Sequence, residues 1–173
     1  MLGLSLPVFT LVHLAISLIG IAAGFGVLYG FLVSRDTASW TNTFLIFTIL
    51  TSVTGYFFPF EHVLPSHVVG AVSLVVLAVA VAALYMFRLA GSWRWIYVAS
   101  AVTALYLNTF VLVVQTFIKN PALKELAPTQ SEPPFVITQV LLLIAFVVLG
   151  ALAVRRFHPE PRDIGALHAR LSA

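Results

Sequence analysis

The chain has no cysteine and few charged residues, and each shortage excludes a class of protein. Without cysteine it contains no disulfide, thiolate metal site, iron–sulfur cluster or cysteine nucleophile. Charged residues make up 9% of the 173 residues and hydrophobic residues 61%, whereas soluble domains have about a quarter and about a half. So few charges do not cover the surface of a soluble fold of this size. The composition therefore predicts one domain embedded in a lipid bilayer.

The sequence also lacks the motifs of hydrolytic and transport chemistry. It contains neither G-x-S-x-G nor H-E-x-x-H, and no apolar segment holds a pair of carboxylates. No apolar segment has Asp, Glu, Lys or Arg near its middle, and no inverted repeat is evident, which argues against a transporter. The basic residues stand at segment ends instead of forming a cluster, so we expect no nucleic-acid partner. The sequence predicts no particular reaction.

What the chain does contain is a series of apolar segments, each close to the roughly 20 residues needed to cross a membrane. There are five of them, over approximately 7–33, 40–58, 64–87, 93–118 and 134–154. None alternates between apolar and polar residues as a barrel strand does, so each is expected to be a helix. The sequence thus predicts an all-α bundle of five transmembrane helices over 1–157, followed by a short tail over 158–173.

The basic residues predict how this bundle lies in the membrane. Two lysines, Lys119 and Lys124, lie at one end of the bundle, which we call the lysine face. The arginines all lie at the other end, the arginine face: Arg35, Arg88, Arg94, Arg155, Arg156, Arg162 and Arg170. Because cytoplasmic loops carry the excess of basic residues, the arginine face is predicted to be cytoplasmic. The N-terminus is then outside and the C-terminus cytoplasmic.

The first apolar segment is rich in glycine. Gly20-x-x-x-Gly24 and Gly26-x-x-x-Gly30 both fit the spacing of small residues that lets two helices approach closely. Packing within the chain is the favoured interpretation, since a bundle has many internal contacts to make. Contact with another membrane protein, or with a second copy in a homo-oligomer, remains the alternative.

Polar side chains recur at a similar depth below the lysine face. His13, His67, Gln115 and Gln139 come from four different segments, and Asn108 lies two turns deeper than Gln115 on the same side of its helix. Polar residues inside a membrane are costly and often functional. The sequence therefore predicts a polar pocket that opens at the lysine face.

Three kinds of ligand suit such a pocket, and the favoured interpretation is a binding or redox-accessory protein in which histidines hold a haem or a metal. His13 and His67 could hold a single haem b, or the same two histidines with Glu61 and His62 could bind a Zn or Cu ion. Alternatively, the imidazoles and amides could orient a quinone or another lipid-like molecule. Each side chain also has a plainer explanation as a solvated group or an interhelical hydrogen bond. A structural or assembly subunit of a membrane complex, without a cofactor, therefore stays open.

Two short runs carry a resemblance to known proteins. The sequence reads LTSVTGYFFP over 50–59 and LPSHVVG over 64–70. It resembles small, uncharacterised bacterial inner-membrane proteins, which have a Thr-Gly turn at the end of one helix and a histidine at the start of the next. The resemblance implies a multi-pass protein of the bacterial inner (plasma) membrane in a redox-associated neighbourhood. It carries over no catalytic residue.

Overall fold

The computed structural model describes residues 3, 5–35, 37–59 and 65–158. Within those ranges the chain is helical and has no strand, so the predicted all-α class is confirmed. The helices are α1 (Leu6–Leu32), α2 (Ala38–Gly55), α3 (Pro65–Val81), α4 (Trp93–Lys119), α5 (Pro121–Leu126) and α6 (Pro133–Arg156). A π-helical turn, Ala82–Met86, continues α3.

Among the residues that the structure describes, four helices are long and apolar enough to cross a membrane: α1, α3 with its π-helical turn, α4 and α6. The outward side of α6 is apolar, with Leu141 and Val147 among its exposed residues. Such a surface suits lipid chains, and the chain is therefore a multi-pass membrane protein. The helix α2 differs, because seven of its 18 residues are Ser or Thr. The predicted total of five spans is not confirmed for this reason.

The helices form two groups that share α1 and α4. In the first group α1 contacts α2, α2 contacts α3, α3 contacts α4, and α4 contacts α1. In the second, α6 packs against α1 and α4 from the other side. The helix α4 thus contacts every other long helix, and it contributes many of the buried residues. The site described below lies inside the first group.

The glycines of α1 are used for packing within the chain. Gly20 faces Phe47 and Thr48 of α2, and a methyl group added at Gly24 would lie 2.5 Å from the Leu105 Cδ1 atom. Gly26 faces Trp40 and Gly30 faces Thr37. These glycines therefore meet side chains of the same protein, and contact with another membrane protein or a second copy stays a prediction. The contacts match the prediction that the small residues of α1 serve packing within the chain.

At the arginine face, side chains join the ends of three helices. Arg94, near the start of α4, donates hydrogen bonds to the carbonyl oxygens of Val154 and Phe157. These bonds satisfy carbonyls that the end of α6 leaves free, and the positive charge suits the helix C-terminus. The Ser34 hydroxyl, beyond α1, donates to the carbonyl of His158 and accepts from its N–H, both at 3.0 Å. Beyond His158, the predicted tail lies outside the described residues.

A polar cavity at the lysine face

A cavity of about 630 Å³ lies among α1, α2, α3 and α4. Leu6, Pro59, Ser66 and Lys119, at or next to helix ends, border it at the lysine face. Pockets for small ligands typically have volumes of about 300–1,000 Å³. The size of this cavity is therefore that of a small-molecule site.

Four of the predicted site residues line this cavity. His13 belongs to α1, His67 to α3, and Asn108 and Gln115 to α4. The structure thus brings together side chains that are up to 102 positions apart in the sequence. Their role as cofactor-binding residues stays a prediction.

Gln139 lies elsewhere, between α6 and α4. Its Nε2 donates to the Phe110 carbonyl at 3.3 Å, while its Oε1 is buried and has no hydrogen-bond partner within the described part of the chain. Because α6 packs on the far side of α4, a side chain on its inner surface meets the back of α4 and not the cavity. The plainer explanation, an interhelical hydrogen bond, describes this residue, and its predicted place in the pocket is corrected.

The helix α2 contributes cavity residues that the pocket prediction did not contain. Thr51, Ser52 and Tyr56 all line the cavity. The available signal was the spacing of Thr48, Thr51, Ser52 and Gly55, which places them on one side of α2. Hydroxyls in a membrane helix commonly bond to their own backbone, as Thr51 does with the Phe47 carbonyl at 2.8 Å. That pattern alone does not distinguish a cavity wall from an ordinary helix contact.

His13 forms a side-chain hydrogen bond through one of its two ring nitrogens. Its Nδ1 lies 2.8 Å from the Thr54 Oγ1, and that hydroxyl donates to the Leu50 carbonyl at 2.6 Å. The Phe58 ring meets the imidazole edge-on, with centroids 5.1 Å apart. No residue that the structure describes forms a hydrogen bond with the other ring nitrogen, Nε2. The imidazole is therefore oriented from one side only.

His67 is held against the wall of the cavity by Tyr56. The two rings stack with centroids 5.5 Å apart, and the Tyr56 hydroxyl donates to the His67 carbonyl at 2.7 Å. Gly70 lies one turn further along α3, and a methyl group there would lie 3.4 Å from the Tyr56 ring. An added methyl group would thus make an ordinary contact with that ring, which shows that Tyr56 lies directly against α3.

A metal site is not assembled within the described part of the chain. Of the four predicted ligands, Glu61 and His62 lie outside the described residues. Among the residues that are described, no three His, Asp or Glu side chains come close enough together to hold a metal ion. His13 and His67 alone do not make the closed coordination shell that a structural Zn site needs.

The inner end of the cavity is polar as well. The Ser52 hydroxyl donates to the Ser73 Oγ at 3.2 Å, and both residues are buried. Asn108 is only 9% exposed, and its Nδ2 is buried with no hydrogen-bond partner among the described residues. Leaving such a group unsatisfied costs about 1–3 kcal/mol. An amide of this kind in a cavity wall indicates a place where a ligand or water forms the missing bond.

The polar residues occupy two levels. Gly24 faces Leu105 and Phe31 faces Tyr97, so α1 and α4 are antiparallel. The seven-residue step from Gln115 to Asn108 along α4 spans about 10 Å. The outer level contains His13, His67 and Gln115 and the inner level contains Asn108, while Ser52 and Ser73 lie between the two. Apolar side chains, including Leu14, Val111 and Leu112, line the cavity together with these two levels.

Comparison of the chain with protein-family models, with curated proteins and with solved structures gives no match. The fold and the site therefore define the protein by class: a multi-pass helical membrane protein with a polar cavity at one of its two faces. The resemblance to small bacterial inner-membrane proteins stays a prediction.

Proposed function

We propose that this protein binds an amphipathic small molecule, of the quinone or lipid-like kind, in the cavity at its lysine face. The amide nitrogen of Asn108, which has no hydrogen-bond partner among the described residues, is the observation that supports the proposal, because it is a buried donor on a residue that lines a cavity of ligand size. A ligand that reaches the inner level supplies the bond that the protein leaves unmade. The apolar walls then bury the ring or chain of that ligand.

The proposal includes the setting of the protein in its membrane. The helix α2 is the fifth span, the N-terminus is outside and the C-terminus is cytoplasmic, in a bacterial inner membrane. Contacts with α1 at both ends of α2 support this span. Thr37, just before α2, lies against Gly30, and Thr54, near the end of α2, lies beside His13. Its hydroxyls are partly hidden from lipid, since Thr43 and Thr51 donate to their own helix at Ser39 and Phe47. The arginines at one face support the orientation.

Substitution of Asn108 tests the binding of such a ligand. Leucine has a similar volume but no amide, so Asn108→Leu is expected to lower the affinity for a decyl-substituted benzoquinone about tenfold, the value of one hydrogen bond. The measurement is isothermal titration calorimetry of the purified protein in detergent. Asn42→Leu is the matched control, because Asn42 bonds to Tyr85 and does not line this cavity. Equal affinities in the Asn108 variant and the parent protein, or no saturable binding, would contradict the proposal.

A single haem between His13 and His67 is the second candidate, because both histidines line the same cavity. It is less favoured than an amphipathic ligand, since the ring of His67 already stacks on Tyr56. The absorption spectrum of the purified protein decides between them. A Soret band that disappears in His13→Ala and in His67→Ala supports the haem, and a colourless preparation excludes it.

A further inference from the structure

We infer that the ligand presents a hydroxyl group on an aromatic ring, as a phenol or a quinol does, and that this hydroxyl donates a hydrogen bond to the Nε2 of His13. This inference rests on the proposed function, since it specifies the polar head of the molecule bound in the same cavity. The observations that support the inference are the hydrogen bonds around Thr54 and the aromatic rings at the outer level.

The single proton of the Thr54 hydroxyl determines which tautomer His13 adopts. That proton is donated to a carbonyl of α2, at 2.6 Å to Leu50, with Thr51 at 3.3 Å as the other carbonyl within reach. Only a lone pair of the Thr54 oxygen is therefore left for His13, whose Nδ1 lies 2.8 Å away. Nδ1 must carry a proton and donate it to Thr54.

With the proton on Nδ1, the Nε2 of a neutral imidazole is an acceptor. No acidic side chain belongs to the described residues that line the cavity, so no carboxylate there favours an imidazolium. Of the described lining residues, Lys119 at the lysine face is the one lysine or arginine. Nε2 therefore offers a lone pair, and the ligand group that satisfies it has to be a donor such as a hydroxyl.

The surroundings of His13 favour a planar ring as the carrier of that hydroxyl. Phe58 meets the imidazole edge-on, and Phe9 meets Phe58 with centroids 4.9 Å apart. Elsewhere along the wall, Tyr56 and His67 present a stacked pair. Aromatic rings gain from edge-to-face and offset contacts beyond their buried area. Thr54 is thus a positioning residue, which acts on the ligand only through His13.

A matched pair of ligands tests the inference. The probes are 4-octylphenol and its methyl ether 4-octylanisole, which share the ring and chain and differ in the donor. Calorimetry of the full chain in one detergent is expected to show about tenfold tighter binding of the phenol, the value of one net hydrogen bond. The preference is expected to disappear in His13→Phe, which keeps a ring but has no acceptor.

Variants of Thr54 test the positioning role. Thr54→Val keeps the shape but removes the hydroxyl, so the two tautomers of His13 mix and the preference for the phenol falls. Thr54→Ser keeps the hydroxyl and is expected to retain the preference. The ¹⁵N chemical shifts of His13 report the tautomer directly, with protonated Nδ1 in the parent protein and in Thr54→Ser, and averaged values in Thr54→Val.

The outcomes separate the two proposals. Equal binding of the phenol and the ether would show that the donor inference is wrong, while the binding of an amphipathic molecule would stand. Failure of both probes to bind would overturn the proposed function and this inference together. Unchanged ¹⁵N shifts in Thr54→Val would show that Thr54 does not position His13.

Discussion

Single polar side chains give the cavity its chemical character. His13 has one nitrogen bonded to Thr54, and Asn108 has an amide nitrogen with no partner among the described residues. Asn108 is buried, so the hydrogen bond that its amide nitrogen lacks is expensive for the protein, whereas His13 is only partly buried beside the cavity. An apolar side chain in place of Asn108 would remove this cost and make the fold more stable.

Asn108→Leu is therefore expected to raise the free energy of unfolding, by about 1 kcal/mol, while it weakens ligand binding. The gain arises because the leucine buries no unsatisfied donor. Reversible unfolding in mixed detergent micelles, without ligand, measures the change. Asn42→Leu is the control and is expected to be neutral or destabilising, since it removes the bond between Asn42 and the Tyr85 hydroxyl. A clear loss of stability in Asn108→Leu would argue that the amide has a structural role.

Among the helices, the contact between α1 and α2 holds the cavity wall in place. Gly20 and Gly24 let the backbone of α1 come close to α2, and the same approach brings His13 to Thr54 about two to three turns nearer the lysine face. The helix α4 completes the contact through Leu105. Packing of small residues is therefore what sets the position of His13, although no glycine touches a ligand.

Gly24→Leu is expected to destabilise the protein by about 1–3 kcal/mol or more through overpacking. Its first added carbon would meet Leu105 at 2.5 Å and Phe44 at 2.9 Å, and the longer side chain has no space beyond them. Ala22→Leu, on the exposed side of the same helix, is the matched control and is expected to stay within about 0.5 kcal/mol of the parent. The measurement is again unfolding in mixed micelles. Similar stability of the two variants would contradict the close contact.

For the whole molecule, the two groups of helices differ in that the cavity lies within one of them. The group of α1, α2, α3 and α4 encloses the cavity, and α6 packs outside it while Arg94 joins the ends of α4 and α6. The cavity borders the lysine face, which the arginines at the opposite end predict to be the outer one. A ligand would then enter from the outer leaflet or from the space beyond it.

The absence of cysteine makes this orientation directly testable. Ala122→Cys places one thiol in α5 at the lysine face, and Ser92→Cys places one beside α4 at the arginine face; both positions are exposed. In intact cells a membrane-impermeant maleimide is expected to label the first variant and not the second. Both variants should react after the membrane is opened with detergent. Labelling of Ser92→Cys alone in intact cells would reverse the orientation.

Several features followed from the sequence by itself. The shortage of charge and the length of the apolar segments predict membrane helices, because a bilayer leaves the backbone few other ways to satisfy its hydrogen bonds. Depth along a helix also follows from the sequence, since each residue advances it by about 1.5 Å. That regularity is why His13, His67, Asn108 and Gln115 were predicted to lie near one another, and they line one cavity.

Only the tertiary structure decided which helices are neighbours and which face of each helix points towards the cavity. Gln139 lies at a suitable depth, but α6 packs on the side of α4 away from the cavity. The Gln139 amide therefore donates a hydrogen bond to the Phe110 carbonyl of α4. Thr51, Ser52 and Tyr56 line the cavity because α2 lies between α1 and α3, which their spacing alone does not reveal. Depth is a local property of one helix, whereas rotation and neighbourhood depend on close packing between helices that are distant in the sequence.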